Sequence, residues 1–143
     1  MYKRQDYDLA SDTAIHRKKE DMRNRIKRIN QSETDVFLSI HLNAYTSAQV
    51  HGVQVFYQKQ NADSETLATI ISKQMEEIST HVMKVKIGDY YILNETKPIG
   101  VLIECGFLSN PTDRKQLIDE TYQQKIAIQI TAALENYFQI VNF

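Results

Sequence analysis

Two short segments of the sequence place polar side chains where an apolar strand ends, and the first is the segment 39–44. In Ser39-Ile40-His41-Leu42-Asn43-Ala44, an imidazole and a carboxamide stand two residues apart, so they share one face of an extended chain. Ligands of open α/β sheets gather beyond the carboxyl ends of the strands, which makes His41 and Asn43 candidates for a binding or metal site. The competing interpretation, which residue spacing alone favours, is that backbone groups of the following loop satisfy both side chains.

The second segment is Ile103-Glu104-Cys105-Gly106-Phe107, in which Glu104 directly follows the apolar run Val101-Leu102-Ile103. A carboxylate at such a position is costly to bury unless it is paired or used. Its pKa tends to be raised, and it is a candidate general base or metal ligand. A glutamate at the rim of the sheet, bonded to backbone or to an arginine, is an equally good interpretation.

The other residues that could carry chemistry are weaker candidates. His16 and His81 lie in polar surroundings typical of a surface, and His51 could approach His41 across a connection between strands but is more typical of a solvated loop. Cys105 has apolar neighbours, which favour a buried thiol over a nucleophile. The sequence contains no phosphate loop, no GxGxxG and no CxxC pair, so nucleotide-binding and zinc-finger functions have no support.

The spacing of apolar residues predicts the elements that position these side chains. Strands alternating with long helices predict an α/β domain with a mainly parallel twisted sheet and helices on both faces. A short helix is predicted to start at Asn110-Pro111, with the proline near its first position. The predicted strands are 35–41, 52–57 and 101–104, with a short strand or extended piece at 90–93, and the longer helices are 17–30, 65–82 and 120–138.

Composition limits the class of protein. With 42% hydrophobic residues, four glycines and two prolines, the chain is typical of one folded domain over residues 1–143 rather than of a disordered segment. A net charge of −1 does not favour nucleic acid as a partner, and the basic helix 17–30 is best explained as a solvated face. No apolar run approaches the roughly 20 residues of a membrane span, and the N-terminus lacks the apolar region of a signal peptide.

Both segments resemble motifs of one family, the zinc-dependent N-acetylmuramoyl-L-alanine amidases of the amidase-3 type. Segment 39–44 is similar to the family's Ser-Ile-His-x-Asn-Ala motif, and Val101–Pro111 resembles its Val-Glu-x-Gly-Phe-Leu-Ser-Asn-Pro signature. The order and spacing of the intervening segments agree as well. The resemblance is closest to the spore-cortex amidase branch, which shares Asp8-Leu9-Ala10-Ser11.

This resemblance implies a peptidoglycan hydrolase. In the family, two histidines and a glutamate hold a zinc ion that activates water, and a further glutamate acts as general base. The water attacks the amide between N-acetylmuramic acid and L-alanine. By this resemblance His41 is a zinc ligand, Glu104 is the catalytic carboxylate, and Asn43 orients the substrate or the groups around it.

One part of the family pattern has no counterpart in this sequence. The family places its first zinc histidine in an Asp-Pro-Gly-His-Gly loop and its zinc glutamate at the start of the next helix, both upstream of the matched region. The resemblance therefore implies an N-terminally truncated domain that lacks a strand-helix-strand unit. We expect such a chain to bind zinc weakly or not at all and to be inactive by itself.

Three interpretations follow from this departure. The first is an amidase-type peptidoglycan hydrolase present as a truncated product. The second is a non-catalytic homologue that binds wall fragments or a protein partner. The third is a different metallohydrolase with ligands rebuilt from His41, His51 and Glu104.

The truncation and the resemblance also bear on assembly and location. An incomplete sheet exposes an edge, so we expect a homo-oligomer formed through that edge. The resemblance implies an extracytoplasmic location at the cell wall, with either spore cortex or vegetative wall as substrate. The absence of a signal peptide leaves a cytoplasmic location open.

Overall fold

The computed structural model describes residues 14–141, together with the side chains of residues 18–141. Within that range, the chain forms five helices and four strands. The helices are α1 (Ala14–Gln31), α2 (Ala62–Met75), α3 (Tyr91–Glu95), α4 (Pro111–Leu117) and α5 (Glu120–Val141). The strands are β1 (Val36–Asn43), β2 (Gln54–Tyr57), β3 (Lys86–Ile87) and β4 (Ile99–Phe107).

The described strands form one four-stranded mixed sheet in the order β1-β4-β2-β3. The β1·β4 and β2·β3 pairs are parallel, as predicted, whereas β2 and β4 pair antiparallel. Parallel strands need a long crossover, usually a helix, and the segment 44–53 between β1 and β2 contains none. The chain therefore returns in the opposite direction, so the described sheet is mixed, with two of its three strand pairs parallel.

One face of the sheet carries the larger apolar core. Side chains alternate between the faces of a strand, and Val101, Ile103 and Cys105 of β4 all belong to this core. Helices α2 and α5 cover the face and contribute fully buried side chains, which are Leu67, Ala68, Ile71, Met75, Ala133 and Tyr137. Because each large apolar side chain contributes about 1.5–3 kcal/mol when buried, this face supplies the larger share of the hydrophobic stabilisation.

The opposite face carries a smaller cluster of buried side chains, Phe37, Leu93 and Leu102. Ile29 of α1 packs on it, as do Tyr90 and Ile92 at the start of α3. Helices therefore cover both faces of the sheet, as predicted, but the second face has the thinner cover. His41 and Glu104 belong to this face, since they alternate with side chains of the larger core along β1 and β4.

The segment 90–93, predicted as a short strand or extended piece, is a helical turn. Only Tyr90 is extended, and α3 follows from Tyr91 to Glu95. Tyr90, directly before the turn, and Leu93, within it, both pack on the same cluster. A run of four apolar residues fits either structure, so its pattern did not decide between them.

A buried glutamine, Gln58, joins the end of β2 to the start of β4. Its Nε2 donates to the carbonyls of Thr96 and Pro98, both at 3.1 Å, and its Oε1 accepts from the Gly100 amide at 3.0 Å. These bonds satisfy both ends of the carboxamide, as a buried polar group requires. They hold the beginning of β4 in register beside β2.

We predict that Gly100→Ala destabilises the sheet. Gly100 lies opposite Phe37 in the β1·β4 register, and a Cβ atom at Gly100 would overlap the buried Phe37 ring. The ring must move, so the free energy of unfolding should fall by about 1–3 kcal/mol, as measured by urea denaturation. In a Phe37→Leu background the same substitution should cost clearly less, and an equal cost in both backgrounds would contradict this explanation.

Candidate active site

The register of the sheet brings His41 and Glu104 side by side. His41 of β1 is the parallel partner of Glu104 in β4, and Glu104 is the antiparallel partner of Gln54 in β2. Neighbouring strands lie about 4.8 Å apart, so the three side chains form one continuous row on the face that α1 and α3 cover. We call His41, Glu104 and Gln54 the polar row. The two residues singled out at strand ends in the sequence are therefore direct neighbours.

Glu104 is the buried centre of the polar row. It is only 6% exposed, and its Oε2 atom has no hydrogen-bond partner among the described residues. Burial raises the pKa of the carboxyl group above its ordinary value, because a low-dielectric surrounding disfavours the charged form. In its ionised form such a carboxylate is a stronger proton acceptor than an exposed one.

His41 lies at the exposed end of the row. Its Nε2 atom and the hydroxyl of Ser39, on the same face of β1, form a hydrogen bond of 2.9 Å. A hydrogen bond to one ring nitrogen fixes the orientation of an imidazole. Ser39 therefore helps to hold the His41 ring beside Glu104.

Asn43 does not join the row through its side chain. The β1·β4 register shifts between His41 and Asn43, and the Asn43 Oδ1 accepts a hydrogen bond of 2.8 Å from the Ala44 amide. Its carbonyl accepts another, of 2.7 Å, from the amide of Leu108. A backbone amide of the following loop therefore satisfies the Asn43 carboxamide oxygen, as the competing interpretation of the sequence predicted. A role for Asn43 in orienting a substrate stays a prediction.

Gln54 and Tyr90 are site residues that the sequence did not reveal. Gln54 is 6% exposed, yet in sequence it alternates with apolar residues and resembles a solvent-facing position. Tyr90 packs edge-on against Phe56, with ring centroids 5.1 Å apart, and burial together with the charge of Glu104 raises its pKa. The pairing of β2 with β4 places Gln54 here, and the packing of the chain before α3 places Tyr90, so no local sequence signal marks either residue.

The segment that begins with Gly-Phe-Leu-Ser-Asn-Pro joins the end of β4, through hydrogen bonds, to the residues just before β2. Asp113, which sequence reasoning missed, is buried, and its Oδ2 accepts from the Gly52 amide at 2.7 Å and the Phe107 amide at 2.8 Å. Asn110 caps α4 by accepting from the amides of Thr112 and Asp113, and Pro111 opens that helix as predicted. This segment supports the site without entering the polar row.

Among the side chains that the structure describes, the other histidines do not complete a metal site. The ring of His51 stacks on that of His81, with centroids 4.6 Å apart, and the side chain of His16 lies outside the described residues. In the part of the chain that the structure describes, no group of three or more His, Cys, Asp or Glu side chains could hold a metal ion. The interpretation that rebuilds a ligand set from His41, His51 and Glu104 is therefore wrong.

Cys105 is a buried thiol, as predicted, and points into the larger core. Burial, and secondarily the charge of Glu104, raises its pKa to about 12. Because the thiolate is the nucleophile, this residue takes no part in nucleophilic chemistry at neutral pH.

None of the helices among the described residues is both long and apolar enough to cross a membrane.

Comparison with known proteins identifies one family. The family described as Amidase_3, N-acetylmuramoyl-L-alanine amidase, matches residues 1–136. The chain is 40% identical over 144 residues to the germination-specific N-acetylmuramoyl-L-alanine amidase of Bacillus subtilis (strain 168), covering 96% of this chain and 60% of that relative. The chain thus spans only about three fifths of the length of this relative.

Solved structures agree with the sequence match. The CwlD amidase from Clostridioides difficile, in complex with the GerS lipoprotein, superposes with a TM-score of 0.86 and 38% identity, covering 90% of this chain and 66% of that one. An N-acetylmuramoyl-L-alanine amidase from Clostridium difficile 630 gives a TM-score of 0.79 and 28% identity, covering 82% and 65%. The predicted α/β class is confirmed by these folds.

We predict that Cys105 resists alkylation in the folded protein. At about pH 8 its reaction with iodoacetamide should be about a thousandfold slower than that of an exposed cysteine, because almost none of it is thiolate. Mass spectrometry of timed samples with and without urea measures the difference, since unfolding restores ordinary reactivity. Rapid labelling without urea would show that the thiol is accessible.

Proposed function

The chain belongs to the amidase-3 family of N-acetylmuramoyl-L-alanine amidases, and we propose on that premise that its polar row acts on peptidoglycan. The target is the amide between N-acetylmuramic acid and L-alanine of the stem peptide. The observation that carries this proposal is the pairing of His41 with a buried, desolvated Glu104 in the carboxyl-terminal halves of two parallel strands. Open α/β sheets bind their ligands toward the carboxyl ends of their strands.

Glu104 is the general base in this proposal. Hydrolysis of an amide requires a group that takes a proton from the attacking water and later delivers one to the leaving amine. Both transfers are most efficient when the pKa of that group lies near the working pH. The raised pKa of Glu104 supports this role better than an ordinary exposed carboxylate would.

His41 is the metal ligand that the chain contributes. A catalytic zinc site takes three protein ligands and leaves one position for water. The polar row offers one imidazole and one carboxylate, and the described residues contain no group of three donors. This donor set does not fit a catalytic zinc, so we propose that the chain by itself binds zinc weakly and recognises the amide without hydrolysing it. Glu104 would act as general base only where further ligands complete the zinc site.

Binding of wall fragments or of a protein partner is the second candidate function. β1 is the edge strand of the described sheet, and its apolar Ile40 and Leu42 are 58% and 49% exposed. An exposed apolar edge strand favours pairing with another chain, either a second copy or a different protein. The solved complex of the Clostridioides difficile relative with a lipoprotein supports a protein partner, and the names of the relatives support a location at the cell wall or spore cortex.

We predict that the chain is retained by intact peptidoglycan and loses this retention once the stem peptides have been removed by another amidase. Sedimentation of the chain with each kind of peptidoglycan measures this. Retention should not depend on zinc or on a chelator. His41→Ala should weaken it about two- to tenfold, the effect of losing one hydrogen-bonding group, whereas His81→Ala, outside the polar row, should not.

Two outcomes of this experiment would contradict the proposal. Equal retention by both kinds of peptidoglycan would mean that the chain recognises the glycan strand and not the amide. Stem peptides that begin with L-alanine, released into the supernatant only when zinc is added, would show that the isolated chain is an active amidase. The released peptides are identified by mass spectrometry.

A further inference from the structure

The centre of the polar row contains two buried polar atoms that have no partner. They are the Nε2 of Gln54 and the Oε2 of Glu104, and neither has a hydrogen bond within the described part of the protein. Both residues are 6% exposed. A buried donor or acceptor without a partner is rare in folded proteins and calls for an explanation such as an ordered water or a ligand.

The two unpartnered atoms belong to directly opposed residues. Gln54 and Glu104 are Cα partners in the antiparallel β2·β4 pair, which places their Cβ atoms about 4.5–5.5 Å apart. One side chain offers an N–H donor and the other a carboxylate acceptor, yet they do not bond to each other. A molecule that accepts from one and donates to the other would satisfy both.

A second buried glutamine on the same face does not share this feature. Gln58 lies four residues further along the chain, and its carboxamide is bonded at both ends, to the carbonyls of Thr96 and Pro98 and to the Gly100 amide. Both side chains are buried to a similar degree. The described part of the fold therefore provides hydrogen-bond partners for both ends of the Gln58 carboxamide. It provides none for the Nε2 atom of Gln54 beside Glu104.

We propose that Gln54 is a positioning residue that holds one water molecule against Glu104. The water accepts a hydrogen bond from the Gln54 carboxamide and donates one to the Glu104 carboxylate. Buried waters typically make two to four hydrogen bonds, and these two side chains supply two of them. This inference rests on the proposed function, in which Glu104 is the residue that would take a proton from the water that attacks the amide.

The arrangement assigns different tasks to the two side chains. Glu104 accepts the proton, and Gln54, which has no proton to exchange at neutral pH, fixes where the water stands. A held water needs no reorganisation when the substrate amide arrives. A substrate that occupies the site must then alter the surroundings of the Gln54 carboxamide, whereas the carboxamide of Gln58 stays as it is.

Nuclear magnetic resonance of the labelled chain tests this directly. The side-chain amide protons of Gln54, assigned by comparison with Gln54→Met, should show a cross-peak to a long-lived water, and those of Gln58 should show none. Titration with N-acetylmuramoyl-L-alanyl-D-isoglutamine, which contains the target amide, should shift the Gln54 amide signals only. Gln54→Met should bind this ligand about tenfold more weakly, the effect of about 1.4 kcal/mol.

Gln58→Met is the matched control. It makes the same change at a buried glutamine of the same sheet face and should lower the melting temperature, because it removes satisfied hydrogen bonds, but it should leave ligand affinity unchanged. Absence of the water cross-peak at Gln54 would overturn the inference. A water that is present while Gln54→Met binds as well as the wild type would also overturn it, since the water would then be structural.

These results separate the inference from the proposed function. If the wild-type chain binds the ligand and Gln54→Met binds it equally well, only the positioning role of Gln54 fails. If the wild-type chain and Gln58→Met both fail to bind the ligand at millimolar concentration, the proposed function fails and the positioning role fails with it.

Discussion

The position of β4 between β1 and β2 is the constraint on which the rest of the structure depends. Every second side chain of this strand, among them Val101 and Ile103, enters the larger core. Because alternate residues of a strand face opposite ways, a shift by one residue would turn these side chains out of the core. The same alternation directs Glu104 to the other face and aligns it with His41 and Gln54. Packing on one face thus determines the chemistry of the other.

The two faces of the sheet carry apolar clusters of unequal size, so the larger one can stabilise the sheet while the other face buries a carboxyl group. The core under α2 and α5 provides the larger share of hydrophobic stabilisation, and the smaller cluster of Phe37, Leu93 and Leu102 closes the face of the site. Glu104 is consequently desolvated while its neighbour His41 stays exposed. A proton acceptor and an accessible imidazole on adjacent strands are what the proposed reaction on an amide requires of this part of the site.

Local sequence patterns predicted most of the helices and strands. They also predicted two residues of the polar row, which are polar although their neighbours in sequence are apolar. The sequence indicates His41 and Glu104 because each is a polar residue that follows an apolar run. It indicates Asn110-Pro111 as the start of a helix. Gln54 could not be found in this way, since a polar residue in an alternating strand normally faces solvent. Its burial, like the antiparallel direction of β2 and the helical turn at Tyr90, depends on which distant segments pack together.

The most direct test of this account is the titration of Glu104 in the metal-free chain, followed through its side-chain carboxyl carbon by nuclear magnetic resonance and assigned with Glu104→Gln. The sheet register buries this group, so its pKa should lie above the value of about 4.3 that is typical of an exposed glutamate. The carboxyl should therefore keep its proton to a higher pH than the exposed glutamates of the same chain. A midpoint at or below their value would show that Glu104 is solvated, and the polar row as described here would be wrong.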